Sequence, residues 1–201
     1  PHFGSAALGG AILACPREPT LVQGARGVEA HPALFGRVAS ADTELGGRVE
    51  GDLLFDDHTG ILLGAGYRDV DRLTSGGLVA NPGRPIPLVP RFEDDGRTQL
   101  GTGFEEATFD ARAQHRFRRT LELVGAVYGF REFDAPRTDQ CPPPEARIDE
   151  CLMIEEQFRT LAYLALRGDA GDAMRDLDMN VSWQEHTELR VNNRPLSNVR
   201  H

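Results

Sequence analysis

Two kinds of apolar spacing divide the chain near residue 104. Before that point apolar residues come in short runs, Leu53-Leu54-Phe55, Ile61-Leu62-Leu63 and Pro87-Leu88-Val89, separated by Asp56-Asp57-His58-Thr59-Gly60 and by Asn81-Pro82-Gly83. Runs of this length between turn-forming clusters read as strands. Arg48 to Leu63 is the clearest hairpin, with its turn centred on Asp57 to Gly60, and Arg91 to Gly103 reads as a polar loop.

From Glu105 the spacing lengthens. Phe109, Ala113, Phe117, Leu121, Val124 and Tyr128 recur every three or four residues, which predicts an amphipathic helix ending near Phe133. Pro136 bars its continuation. Cys141-Pro142-Pro143-Pro144 suits a helix start, and a second helix is expected from about Glu145 to Arg167, stopping at Gly168. A third, shorter helix over Ala170 to Leu177 and a strand within Val181 to Val199 complete the reading. The expected fold class is therefore α+β: short N-terminal strands with a hairpin, then two long antiparallel helices and a short C-terminal element.

The 201 residues fit a single domain. Its parts are an apolar arm over 1–15, a strand- and loop-rich part over 35–103, a helical part over 104–178 and a tail over 181–201. Within the arm, Phe3 to Ala14 is small and apolar, and Ile12-Leu13-Ala14-Cys15 loosely resembles a bacterial lipoprotein cleavage box. No charged leader precedes it, so a packed arm is expected. No stretch holds the roughly 20 apolar residues of a spanning helix, so no membrane span is expected.

Charge narrows the partners. The net charge is −9, and the one concentration of cations, Arg112, Arg116, Arg118 and Arg119, sits among acids. Phosphate backbones call for clustered cations, so nucleic acid is not an expected partner. All 22 basic residues are arginine. The codon usage of a GC-rich genome accounts for this, as would selection against a modifiable amine. Cys15, Cys141 and Cys151 are too few for a disulfide framework, and no CxxC pair suggests zinc. Cys141 and Cys151 are close enough in sequence to bridge across the prolines, or to remain buried thiols.

Complete catalytic motifs are missing: there is no HExxH, GxSxG, Walker loop or GxGxxG, so neither cofactor nor metal is expected. Asp56, Asp57 and His58 are ordinary turn chemistry without spaced metal partners. His115 falls on the polar side of the first helix and reads as solvated. Ile148, Cys151, Leu152, Phe158, Ala162, Ala165 and Leu166 share an apolar face of the second helix, and Glu155 and Arg159 fall inside it. Charges in such an arc need pairing, and a Glu one turn before an Arg is the favourable order. Glu155 and Arg159 are thus expected to form an internal ion pair, to reach a neighbouring subunit, or to hold a buried carboxylate for acid–base work or ligand binding. Glu106 joins them as a weaker catalytic candidate.

Arg48, Thr74-Ser75 and Glu105-Glu106 stand in the order used by ADP-ribosyltransferase toxins, which the chain resembles in that respect alone. The Ser-Thr-Ser triplet and the Glu/Gln-x-Glu spacing of that family are missing. The functional expectation is a non-catalytic interaction or assembly module, a subunit with protein partners in the cell envelope or outside the cell. The alternative is a secreted effector enzyme using carboxylate chemistry, a hydrolase or ADP-ribosyltransferase-like protein.

Overall fold

The computed structural model describes residues 16–21, 24, 26–79, 92–118, 120–136, 151–171, 174–194 and 197–200. Eight antiparallel strands form one sheet in simple sequence order. They are β1 (Arg26–Ala39), β2 (Glu44–Asp56), β3 (Thr59–Val70), β4 (Phe104–Arg118), β5 (Leu121–Pro136), β6 (Cys151–Gly168), β7 (Leu177–Arg194) and the short β8 (Ser197–Arg200). Each strand hydrogen-bonds to its sequence neighbours, and Pro32, which cannot donate to a ladder, sits on the edge strand β1.

The α+β expectation is overturned, because no helix occurs among the described residues. The first expected helix is the β4–β5 hairpin, the second is largely β6, and Ala170 to Leu177 holds the β6–β7 connection. The reason lies in the arithmetic of spacing. A four-residue step keeps a residue on one face of a strand as well as of a helix, since successive strand side chains alternate. Phe109, Ala113 and Phe117 share a face in either structure. The period-two signal is the even series Glu106, Thr108, Asp110, Arg112, Gln114 and Arg116 set against Ala107, Phe109, Ala111 and Ala113. The Arg48 to Leu63 hairpin has its counterpart in β2 and β3, joined at 57–58, and the tail strand in β7. The apolar arm, Cys15, Cys141, Pro87-Leu88-Val89 and the prolines before β6 lie outside the described residues. So does the question of a Cys141–Cys151 bridge.

Connections differ between the two ends of the sheet. At one end lie 57–58, 119–120 and 169–176; at the other lie 40–43, 71–103, 137–150 and 195–196. Thr43 takes a left-handed conformation, φ 48°, in the β1–β2 turn. Asp56 fastens the β2–β3 turn by accepting hydrogen bonds from the backbone N–H groups of His58 (2.8 Å) and Thr59 (2.6 Å).

Candidate functional site

The alternation gives the sheet two chemically opposite faces. One face carries Leu45, Val49, Leu53 and Phe55 of β2. These continue into Ile61, Leu63 and Ala65 of β3, Phe109, Ala111 and Ala113 of β4, and then Val127, Leu164, Val181 and Trp183. These rows are in register: Trp183 lies opposite Ala162, Ala162 opposite Val127, Val127 opposite Ala111, and Ala111 opposite Leu63. Large apolar side chains stand in the open here. Leu34 is 82% exposed, Val181 67% and Trp183 55%.

The other face holds most of the charges and, over β2 to β5, is the better buried. Glu44 and Asp52 are 2% exposed and Arg112 3%. Buried charges require partners, and most of these have them. Arg37 Nε lies 3.0 Å from Glu44, and Arg68 Nη2 donates to Glu106 at 2.7 Å. Arg48 Nε donates to Glu50 at 2.8 Å while its Nη2 donates to Asp110 at 2.6 Å. That first hydrogen bond does most to hold the Glu50 carboxyl below the ordinary carboxylate value. Residues 16–21 lie against this face as well. Arg17 bonds Glu50 and Asp52, Glu18 bonds Arg112, and Pro19 and Leu21 pack around Gly60 beside Leu54. The buried apolar residues Leu54, Leu62, Val124 and Ala165 belong to this charged face near the end with the 57–58 turn, and Val70 to its other end.

The sequence-predicted residues separate on this frame. Glu106 is on β4, paired with Arg68 and directly opposite Glu132 of β5. Burial, and after it the charge of Glu106, push the Glu132 carboxyl above its usual value. Arg159 is on the same face of β6, opposite Phe130, but is exposed. Glu155 stands at an irregularity in the β6–β7 pairing between Ile154 and Glu156 and is half-buried. Four residues of strand span roughly 13 Å, against about one turn of helix, so the helical ion-pair geometry expected for Glu155 and Arg159 is lost. Both were expected to be buried in an apolar arc; neither is. Glu105 and Glu106 point to opposite faces, Glu105 accepting a hydrogen bond from Tyr67 at 2.9 Å. His115, expected in solvent, is half-buried on the apolar face, where its Nδ1 lies 3.0 Å from Thr59 Oγ1.

Sequence reasoning missed the Arg48–Asp110 and Arg68–Glu106 pairs and the position of Glu132. The period-two alternation was the signal that locates all three. Asp56, Asp57 and His58 do cluster within 4.8 Å, but in the turn that Asp56 fastens. No helix among the described residues is long and apolar enough to cross a membrane. No protein-family profile matches the chain, and searches of the curated proteins and of the solved structures give no match either.

Proposed function

We propose that this chain builds wall strands of a transmembrane β-barrel in a cell-envelope membrane, with its apolar face on lipid and its charged face turned to the interior. One observation carries the reading: on the same strands, large apolar side chains are exposed while charged side chains are buried. Water-soluble sheets have the opposite arrangement. In a membrane barrel the apolar face meets lipid and polar residues line the lumen. Leu45 to Phe55 of β2 carries no charge on the apolar face, a stretch of about 33 Å along the strand. At a barrel tilt near 40° that stretch rises about 25 Å, the height of a barrel's apolar band. The two longest connections, 71–103 and 137–150, lie at one end, as the long loops of such barrels do.

This proposal retains the non-catalytic envelope role expected from the sequence, replaces protein by lipid as the cover of the apolar surface, and departs from the expectation of no membrane span, which rested on helices alone. The effector-enzyme alternative draws no support from the geometry, since Glu106 is engaged by Arg68 and Glu105 faces away from it.

Trp183, the single tryptophan of the chain, supplies the test. With the protein reconstituted into vesicles whose acyl chains are brominated, Trp183 emission should be shifted to the blue and strongly quenched. Emission quenched by water-soluble acrylamide and untouched by brominated lipid would overturn the proposal.

A further inference from the structure

Residues 16–21 lie over one register row of the charged face. Asp52 of β2, Leu62 of β3, Arg112 of β4 and Ala126 of β5 stand side by side there, and all four are buried. Two consecutive residues of the segment match the signs of the wall beneath them. Arg17 bonds the acids Glu50 and Asp52 of β2, the latter at 3.1 Å, and Glu18 bonds Arg112 of β4. On this row β3 offers only the uncharged Leu62 between them. Pro19, which is buried, and Leu21 fill the space that Gly60 leaves: a Cβ at Gly60 would lie 3.0 Å from each of them.

The segment is closely fitted but weakly held. Arg17 keeps 47% of its side chain exposed and Glu18 42%, and ion pairs as hydrated as these contribute little to stability. The cover also leaves Asp52 Oδ1 and Arg112 Nε buried with no hydrogen-bond partner, which is unfavourable. Water reaching both atoms when the segment lifts offsets the ion pairs given up. Toward the other end of the sheet the same wall is open. Arg37, Glu44, Arg48 and Arg68 line a polar cavity of about 210 Å³ there, beside Gly46 and Gly66, which have no side chains to fill it.

Resting on the membrane reading above, we infer that residues 16–21 are a strap that closes the polar interior at the end with the 57–58 turn, and that lifts to let small ions pass. In a membrane barrel the charged face is the wall of the lumen. Ion pairs and apolar contacts fill the strap's row with protein, whereas the row of Gly46 and Gly66 leaves room for water. Half-exposed latches over unbonded wall atoms suit a closure that opens. A permanent plug would bury its own charges and satisfy those of the wall.

Two variants loosen the strap by independent means. Arg17→Glu together with Glu18→Arg sets like charges against each other at both latches. Gly60→Val pushes Pro19 and Leu21 away and changes no charge. The full chain and both variants are placed in planar phosphatidylcholine bilayers in potassium chloride, and the current is recorded. The wild-type chain should conduct little, and each variant should raise the current severalfold. In vesicles of brominated phosphatidylcholine, Trp183 should be quenched equally in all three, which shows that the variants enter the bilayer as the wild type does. Variants that keep this quenching and conduct no more than the wild type overturn the strap. A wild-type chain whose Trp183 no brominated lipid quenches would instead remove the membrane reading on which it rests.

Discussion

Arg48 of β2 reaches across the whole width of β3 to donate a 2.6 Å hydrogen bond to Asp110 of β4. It can do so because Gly64 of β3, which pairs directly with Asp110, leaves the space open: a Cβ at Gly64 would fall 2.1 Å from Arg48 Nη2. Gly64→Val should therefore push the guanidinium out of its place between Glu50 and Asp110 and cost about 1–3 kcal/mol, the usual range for overpacking. Gly36→Val, which meets nothing within 4 Å, is the control and should be close to neutral. Urea midpoints of the two variants in detergent micelles check the pair. Equal midpoints would show that Arg48 has other ways to reach Asp110.

Helical phasing puts Arg112 on a solvated face and Arg159 in an apolar arc, and the sheet reverses their order. Arg112 is 3% exposed and bonded to Glu18, with Tyr128 Oη 3.4 Å from its Nη1. Arg112→Ala should cost roughly 3 kcal/mol, the low end for breaking a buried pair, because Glu18 keeps part of its hydration. Arg159→Ala should cost less than about 1 kcal/mol. The two denaturation midpoints, measured side by side, give the ranking directly.

Glu132 sets a pH dependence of known sign. Burial, with Glu106 opposite, raises its carboxyl above the usual value of 4.5, so the folded protein holds that proton more tightly than the unfolded chain. The stability this group contributes is complete below about pH 4.5 and is lost as pH rises through the raised value. Glu132→Gln should raise the urea midpoint at pH 7, leave it unchanged near pH 4, and flatten the fall between. Glu50, whose carboxyl is lowered by Arg48, acts in the other direction and at more acid pH. A Glu132→Gln variant with a wild-type pH profile would show that its neighbours relax to solvate the charge.

The two ends of the sheet should lie on opposite sides of the membrane. In a background with Cys15, Cys141 and Cys151 replaced, single cysteines at Asp94, in the long β3–β4 connection, and at Thr120, in the β4–β5 turn, are both exposed. In vesicles with one direction of insertion, a membrane-impermeant maleimide added outside should label one position and spare the other. Labelling of both from one side would contradict a spanning sheet.

Part of this fold was legible in the residues. The β2–β3 hairpin was readable because Asp56-Asp57-His58-Thr59-Gly60 is turn chemistry whichever face of the strands is buried. From Glu105 onward the four-residue steps of Phe109, Ala113 and Phe117 suit a helix and a strand alike, whereas Val124 and Tyr128 fall on the opposite face of the sheet. The polar partners of those positions decide between the two, since Glu106, Thr108, Asp110, Arg112, Gln114 and Arg116 fall on one side only of a strand. Of the candidate residues, Glu106 belongs to the charged face by this parity alone, whereas Glu155 could not be placed because the pairing of β6 with β7 shifts at its position.

The sequence by itself determined which residues of one strand share a face: a strand's alternation is a local property, and it separates Ala111 and Ala113 from Asp110 and Arg112 on β4. Which set is buried was a tertiary decision. Alternation is the same whether the apolar side meets a core or a lipid. Only the register of neighbouring strands carries Arg48 over Gly64 to Asp110 and Arg68 to Glu106. Those charge pairs allow the polar face to be the buried one, because charges removed from water must meet each other.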